Sequence, residues 1–304
     1  MLTHLLMIVL LAVFVGLPLF YAWRVFRLDE ATRGGWLVRV AEAALLLLLF
    51  LALGRWDMLG VYTRWVLVAL LAAAAFLSWR RHARRPWRAA EGRPFWRAHL
   101  SPLAGIAIFG GLLVWIAVGV FSAPAPHALR FPLEGGRFAV VQGGAHMLLN
   151  RHYSHPAQRH AADIVAVGPA GFRATGLLPD DPARYAIFGL RVVSPCAGEV
   201  VEAADGLPDL RPPRMDPENP AGNHVLLECG AEGIRVLLAH LQRGSVAVAE
   251  GARVAPGDLL GLAGNSGNTS EPHLHIHAVD AATGLGVPIA FDEQAPLRNR
   301  LFRR

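Results

Sequence analysis

The chain contains no lysine, so all 29 of its Lys/Arg residues are arginine. It has two cysteines in 304 residues, Cys196 and Cys229, and no CxxC spacing. A cysteine zinc knuckle is therefore excluded. Charge is sparse: 17% of residues are Asp, Glu, Lys or Arg, against 54% hydrophobic, more apolar than is usual for a soluble domain. The net charge of +6 does not indicate a nucleic-acid partner, because it is unevenly spread. Residues 1–125 hold 13 Arg against 5 acids, whereas residues 126–304 hold 16 Arg against 18 acids. The positive charge belongs to an apolar N-terminal part, and the rest of the chain is close to neutral.

Four apolar stretches, Leu5–Trp23, Leu37–Leu53, Val61–Trp79 and Ala104–Phe121, approach the roughly 20 residues that a helix needs to cross a bilayer. Trp23, Trp36, Trp56 and Trp79 stand near their ends, as in interfacial aromatic belts. Arg39 and Glu42, three apart near the start of the second stretch, are expected to pair, or Arg39 to snorkel to the interface. No carboxylate is expected in mid-span, so the spans read as an anchor rather than an ion pathway. The first stretch has no basic n-region and no small-residue cleavage site, and reads as a retained span rather than a cleaved signal.

The basic residues between spans give an orientation. Arg80, Arg81, Arg84, Arg85, Arg88, Arg93 and Arg97 follow the third span, and Arg24, Arg27 and Arg33 follow the first. Both loops are expected on the cytoplasmic side. The loop after the second span is short, with Arg55 offset by Asp57. The N-terminus and everything after the fourth span are then expected outside the cytoplasmic membrane. The expected organisation is a four-helix membrane region (1–122), a stiff linker around Ser122-Ala-Pro-Ala-Pro126 (123–130), and a soluble domain (131–304) with its core at about 137–290.

That soluble part shows short apolar runs broken by Gly, Pro, Asn and Asp. Strands are expected at Arg137–Gln142, Ala162–Val167, Leu190–Val193, Glu199–Ala203, His224–Cys229, Ile234–Ala239, Leu259–Ala263 and Leu274–Val279. No amphipathic helix of ordinary length is expected there. Residues 205–222, rich in Pro and acids, read as an irregular surface loop. Both cysteines fall in strands, where a disulfide and two buried thiols fit equally well.

Histidine carries the chemistry. In Pro272-His273-Leu274-His275-Ile276-His277, alternate side chains of a strand put three imidazoles on one face, which suits neighbouring roles at one metal. The competing reading is a surface strand with chance histidines. Asp163 lies in the apolar run Ala161-Ala162-Asp163-Ile164-Val165, where a carboxylate is costly to bury without a partner or a cation. His240 ends the run Val236-Leu237-Leu238-Ala239.

These pieces occur in a recognisable order. Asp163 is followed by Ser194-Pro195-Cys196-Ala197-Gly198-Glu199-Val200, Gly222-Asn223-His224-Val225, Leu238-Ala239-His240-Leu241 and Val254-Ala255-Pro256-Gly257-Asp258. Gly264-Asn265-Ser266-Gly267 and Pro272-His273-Leu274-His275 close the set. The set resembles the lysostaphin-type zinc metallopeptidases, which cleave peptide cross-links in bacterial peptidoglycan, and covers roughly residues 137–290. The resemblance implies an all-β, antiparallel-sheet domain, a zinc ion bound by Asp163 and His275, and His273 and His240 as catalytic histidines. It also implies an open coordination position for water, peptidoglycan peptides as substrate and the lipid bilayer as the anchor's environment.

The sequence departs from the family at the first ligand, usually the His of His-x-x-x-Asp. Arg159 stands there and cannot bind zinc, and His160, three residues before Asp163, faces the wrong side of a regular strand. A variant branch resembles Gln158-Arg159-His160-Ala161-Ala162-Asp163 and carries an Asn-x-His upstream, here Asn150-Arg151-His152. His152 is thus the favoured third ligand, ahead of His160 and His155. The alternative function is an inactive domain of the same fold that binds the wall or regulates other hydrolases. A second alternative gives the membrane unit a function of its own.

Overall fold

The computed structural model describes residues 2–89, 94–230 and 233–304; Arg93 of the expected basic loop lies outside these. The chain divides after Val118 into two compact units.

The first unit is helical: α1 (Leu2–Phe26), α2 (Arg33–Leu53), α3 (Trp56–Leu59), α4 (Thr63–His82), α5 (Phe95–Ala98) and α6 (Leu100–Phe121). Among the described residues, α1, α2, α4 and α6 are long and apolar enough to cross a membrane. They coincide with the four expected spans. Large apolar side chains such as Leu48, Val66, Phe76 and Val114 face outward, which a helix tolerates only where its surroundings are apolar.

One expectation about α2 is corrected, and of the two alternatives for Arg39 the structure takes the second. The helix starts at Arg33, ahead of the apolar run, because Thr32 caps it: the Thr32 hydroxyl accepts a hydrogen bond from Gly35 N at 3.0 Å. Glu42 therefore sits near the midpoint of a 21-residue helix rather than near its start, so a carboxylate does occupy mid-span. It is buried and accepts a hydrogen bond from the Tyr21 hydroxyl at 3.3 Å. Arg39 does not pair with it. The long Arg39 side chain reaches back to the polar end of the helix, where Nε donates to Glu30 at 2.8 Å. Arg55 and Asp57 offset each other as expected, through two hydrogen bonds of 2.9 and 2.8 Å.

The second unit is built on strands. In chain order they are β1 (His127–Leu129), β2 (Arg137–Gln142), β3 (Ala162–Ala166), β4 (Arg191–Val193), β5 (Gly198–Ala204), β6 (Asn223–Cys229) and β7 (Ile234–Leu241). Then follow β8 (Arg253–Val254), β9 (Leu259–Leu262), β10 (Leu274–Asp280), β11 (Gly286–Val287), β12 (Ile289–Phe291) and β13 (Leu301–Arg303). The main sheet has nine strands, in the order β13-β2-β3-β10-β7-β6-β5-β8 with β11 also on β10. Every pairing within it is antiparallel. β4 and β9 form an antiparallel pair of their own, and β1 and β12 a parallel one.

Strand structure thus begins inside the stretch expected to be linker, in the separate β1–β12 pair. Prolines stop at Pro126, and His127–Leu129 are free to pair with Ile289–Phe291. It also extends past residue 290, because β13 closes the edge of β2. Phe131, Phe138, Phe291 and Phe302 stack there with ring centroids 4.6–5.9 Å apart. The core follows from alternation: Val225 and Leu227 of β6, Val236 and Leu238 of β7, and Leu274 and Ile276 of β10 are all buried on one side. Cys196 and Cys229 are joined in a disulfide, which decides between the two readings of the cysteines; only Cys229 lies in a strand, because Cys196 sits in the bend after Pro195 that leads into β5.

Candidate metal centre

The same alternation that sends Leu274, Ile276 and Ala278 into the core sends His275 and His277 to the other face of β10. On β3, Ala162, Ile164 and Ala166 face the core, so Asp163 shares the face of His275. The register places these two residues directly opposite each other. Asp163 is only 2% exposed, and its Oδ1 lies 2.9 Å from His275 Nδ1.

A loop brings the third group. Residues Arg151–Ser154 form one 3-10 turn, capped by the Asn150 side chain, which accepts a hydrogen bond from His152 N at 3.0 Å. The fully buried Asn150 amide also donates to Ala161 O at 3.0 Å and to Gly144 O and Arg159 O at 3.3 Å each. One side chain thereby ties the turn to the start of β3. The result sets His152 Nε2 3.1 and 3.0 Å from the two Asp163 oxygens. Of the three histidines weighed upstream, His152 joins the cluster. His155 is exposed, and His160 lines a separate cavity.

His152, Asp163 and His275 each offer one donor atom within 4.8 Å of the others. A tetrahedral zinc with nitrogen and oxygen ligands at ~2.0–2.1 Å would hold its donors roughly 3.4 Å apart. The two histidine-to-Asp163 spacings, about 3 Å each, open to that value with shifts of a few tenths of an ångström. Two imidazoles and a carboxylate are a suitable donor set for zinc. A buried polar atom also points at the spot: His273 Nε2 makes no hydrogen bond and lies 3.5 Å from Asp163 Oδ1. The residues fit a metal ion.

The two remaining histidines share a tautomer. His273 Nδ1 faces Glu271 O at 2.8 Å, and His240 Nδ1 faces Ser266 O at 2.9 Å. A carbonyl oxygen only accepts, so each Nδ1 carries the proton and each Nε2 keeps its lone pair. The rings lie 4.8 Å apart between centroids, and His240 lies 5.9 Å from His275. His240 reaches this place with φ 65°, at the end of β7. Its backbone is held by bonds to Ala221 O and from Gly264 N, each 3.0 Å. Gly222 (φ 61°) and Gly267 (φ 84°) pack backbone to backbone here; a Cβ on Gly222 would stand 2.3 Å from Ser266 O.

His277 plays a different part from its neighbours. It stands behind His275, with Nδ1 2.9 Å from His275 Nε2. Burial, followed by repulsion from His275, pushes the His277 pKa down to about 3. It therefore stays neutral, and its Nδ1 can accept the His275 Nε2 proton, which leaves Nδ1 of His275 free to bind a metal. Burial likewise lowers the pKa values of His240 and His275. For Asp163 burial acts upward, but the imidazoles gathered around it, His273 first, outweigh it. The carboxyl is held well below its ordinary range.

Several contributing residues gave no signal in the sequence. Arg173, 2% exposed, donates twice to Glu271 Oε2 at 2.9 and 2.6 Å and so fixes the segment that receives His273. These residues are 98 positions apart, and nothing local announces the pair. Thr269, 3.1 Å from His273 Nδ1, is similar. Asn150 was visible only as part of the Asn-x-His pattern. The face opens into a cleft of about 610 Å³ lined by His152, His240 and His275.

Residues 185–285 match the model of Peptidase family M23. The matched segment contains His240, His273 and His275 and stops short of Asp163 and His152. No curated protein matches the sequence closely enough to count as a relative. Solved structures with a similar fold include lysostaphin in solution (20% identity, 40% of this chain and 36% of that one, TM-score 0.26). Others are a zinc-containing peptidase from Vibrio cholerae (21%, 41% and 45%, TM-score 0.26) and pseudoalterin, an M23 metalloprotease from the deep sea (13%, 59% and 100%, TM-score 0.35). The chain spans about a third of lysostaphin and less than half of the Vibrio cholerae peptidase. Scores of this size carry no functional inference. On the matched segment and the strand order around it, the C-terminal unit is an antiparallel-sheet domain of the lysostaphin-type peptidase family M23.

Proposed function

We propose that this domain is a zinc metalloendopeptidase that hydrolyses peptide cross-links of bacterial peptidoglycan. The observation that carries the reading is the convergence of His152, Asp163 and His275 with two histidines whose Nε2 lone pairs are free. His152 Nε2, one Asp163 oxygen and His275 Nδ1 would hold the zinc, which when bound polarises a carbonyl and lowers the pKa of a water molecule. The chain's own residues then manage protons. One of His240 and His273 accepts a proton at Nε2 from the attacking water and passes it to the leaving amine. The other donates a hydrogen bond to the carbonyl oxygen as it gains charge, and to do so must first take up a proton at the same atom. Their common tautomer, set by Ser266 O and Glu271 O, leaves each Nε2 able to accept that proton.

The four apolar helices would hold the domain on the outer face of the cytoplasmic membrane. The Arg-rich loops support this side through the positive-inside rule. The Cys196–Cys229 disulfide supports it independently, since such bonds persist in oxidising compartments. Peptidoglycan lies on that side.

A metal-free binding module of the same fold is the rival. It has no use for a complete donor set beside two poised histidines. The test is digestion of cross-linked muropeptides by the full-length chain in detergent, followed by mass spectrometry. The proposal expects wild type to cut the cross-links. It expects His240→Ala to keep its zinc but fall in rate by about 10²–10⁴-fold, the usual scale of general acid–base catalysis. A zinc-loaded wild type that leaves every cross-link intact contradicts the peptidase reading.

A further inference from the structure

We infer that Arg151 selects substrates bearing a free carboxylate next to the scissile bond; this rests on the peptidase reading above. Among the described residues lining the cleft, Arg151 alone carries a permanent charge. The others are apolar, amide, hydroxyl or imidazole groups. Beside an ionised Asp163 whose charge a bound cation would offset, this fixed cation favours an anionic group in the cleft.

Its position sharpens the inference. Arg151 precedes His152 on the 3-10 turn, so the tether that places the candidate ligand also places the guanidinium. Arg151 N donates to Gln142 Oε1 at 3.1 Å, which adds a second hold on the backbone. The side chain is 56% exposed, and its one carboxylate contact among the described residues is long, Nη2 to Asp163 Oδ2 at 3.4 Å. A cation bound to Asp163 would weaken that contact further by like-charge repulsion and turn the guanidinium toward the cleft. An arginine fork matches a carboxylate in two parallel hydrogen bonds. A guanidinium this close to Asp163 reaches a carboxylate on a residue flanking the scissile bond, and not one several residues away. The chemical class is a peptide whose residue at that position carries a free, non-amidated carboxyl group.

The experiment compares two synthetic cross-linked peptides that differ at one group, a free carboxylate in one and its amide in the other. Binding to the full-length, zinc-supplemented chain is measured for wild type, Arg151→Gln and Arg151→Lys, beside hydrolysis. Wild type is expected to bind the free-acid peptide about tenfold more tightly, the scale of one hydrogen-bonded charge pair. Arg151→Gln is expected to abolish the difference, and Arg151→Lys, which keeps the charge and loses the fork, to retain part of it. Equal binding of both peptides by wild type, or an unchanged preference in Arg151→Gln, overturns the inference. Hydrolysis of neither peptide by wild type counts against the peptidase reading instead, since the binding ratio decides the role of Arg151 without it.

Discussion

Each imidazole around Asp163 is held in a state that its neighbours dictate. His240 and His273 each donate a hydrogen bond from Nδ1–H to a main-chain carbonyl, and His275 is paired with a neutral His277. Burial favours the neutral ring in His240, His275 and His277, because a charged imidazole loses its hydration. His160, away from the cluster, shows the same effect in a form that can be measured. Burial, with a smaller push from Arg159, lowers its pKa to about 4. The unfolded chain takes up that proton near pH 6.5, whereas the folded chain does so only near pH 4. Between these values the unfolded state binds more protons, so stability is highest above about pH 6.5 and is lost as the pH falls. Thermal unfolding from pH 7 to pH 4 should therefore show wild type losing more stability than His160→Tyr, whose side chain does not titrate in that range. Equal losses would mean that His160 is not held neutral by the fold.

At the level of elements, the sheet does most of the positioning. Pairing of β3 with β10 sets Asp163 opposite His275, and the disulfide ties Cys196, just before β5, to Cys229 at the end of β6. The two cysteines are 33 residues apart, a loop for which the chain-entropy estimate gives about 3–4 kcal/mol. Replacing both by serine should lower the denaturation midpoint by an equivalent amount, and reductant should have little effect on the double variant. The long strands were legible in the sequence because each shows an apolar run bounded by turn residues. Arg137–Gln142 is such a case, with identical bounds in the fold. β8 and β11, at two residues each, are too short to show a period. β1 and β13 are defined by a distant partner rather than by their own pattern. Glu42 escaped because Thr32 starts α2 before its apolar run, and capping, unlike hydropathy, depends on a single side chain. In the site, Asp163, His240, His273 and His275 stand out as polar residues in or beside apolar runs. His152 could be favoured but not placed, because the tether through Asn150 spans a loop whose path no local pattern gives.

The whole molecule joins an apolar helical unit with a charge bias to a disulfide-bonded domain of near-neutral charge. Under the proposed orientation, both the Arg80–Arg97 loop and the disulfide have the surroundings they need. An alkaline phosphatase fusion at the C-terminus should accordingly be active, and a fusion in the loop after α4 inactive; the opposite pattern would invert the topology. The central claim is a metal centre formed by His152, Asp163 and His275, and the direct measurement is zinc content by mass spectrometry of the purified full-length chain. The account predicts one zinc per wild-type chain, its loss in His275→Ala and His152→Ala, and its retention in His160→Ala. A folded wild-type chain without zinc, or zinc that survives His152→Ala but not His160→Ala, would contradict it.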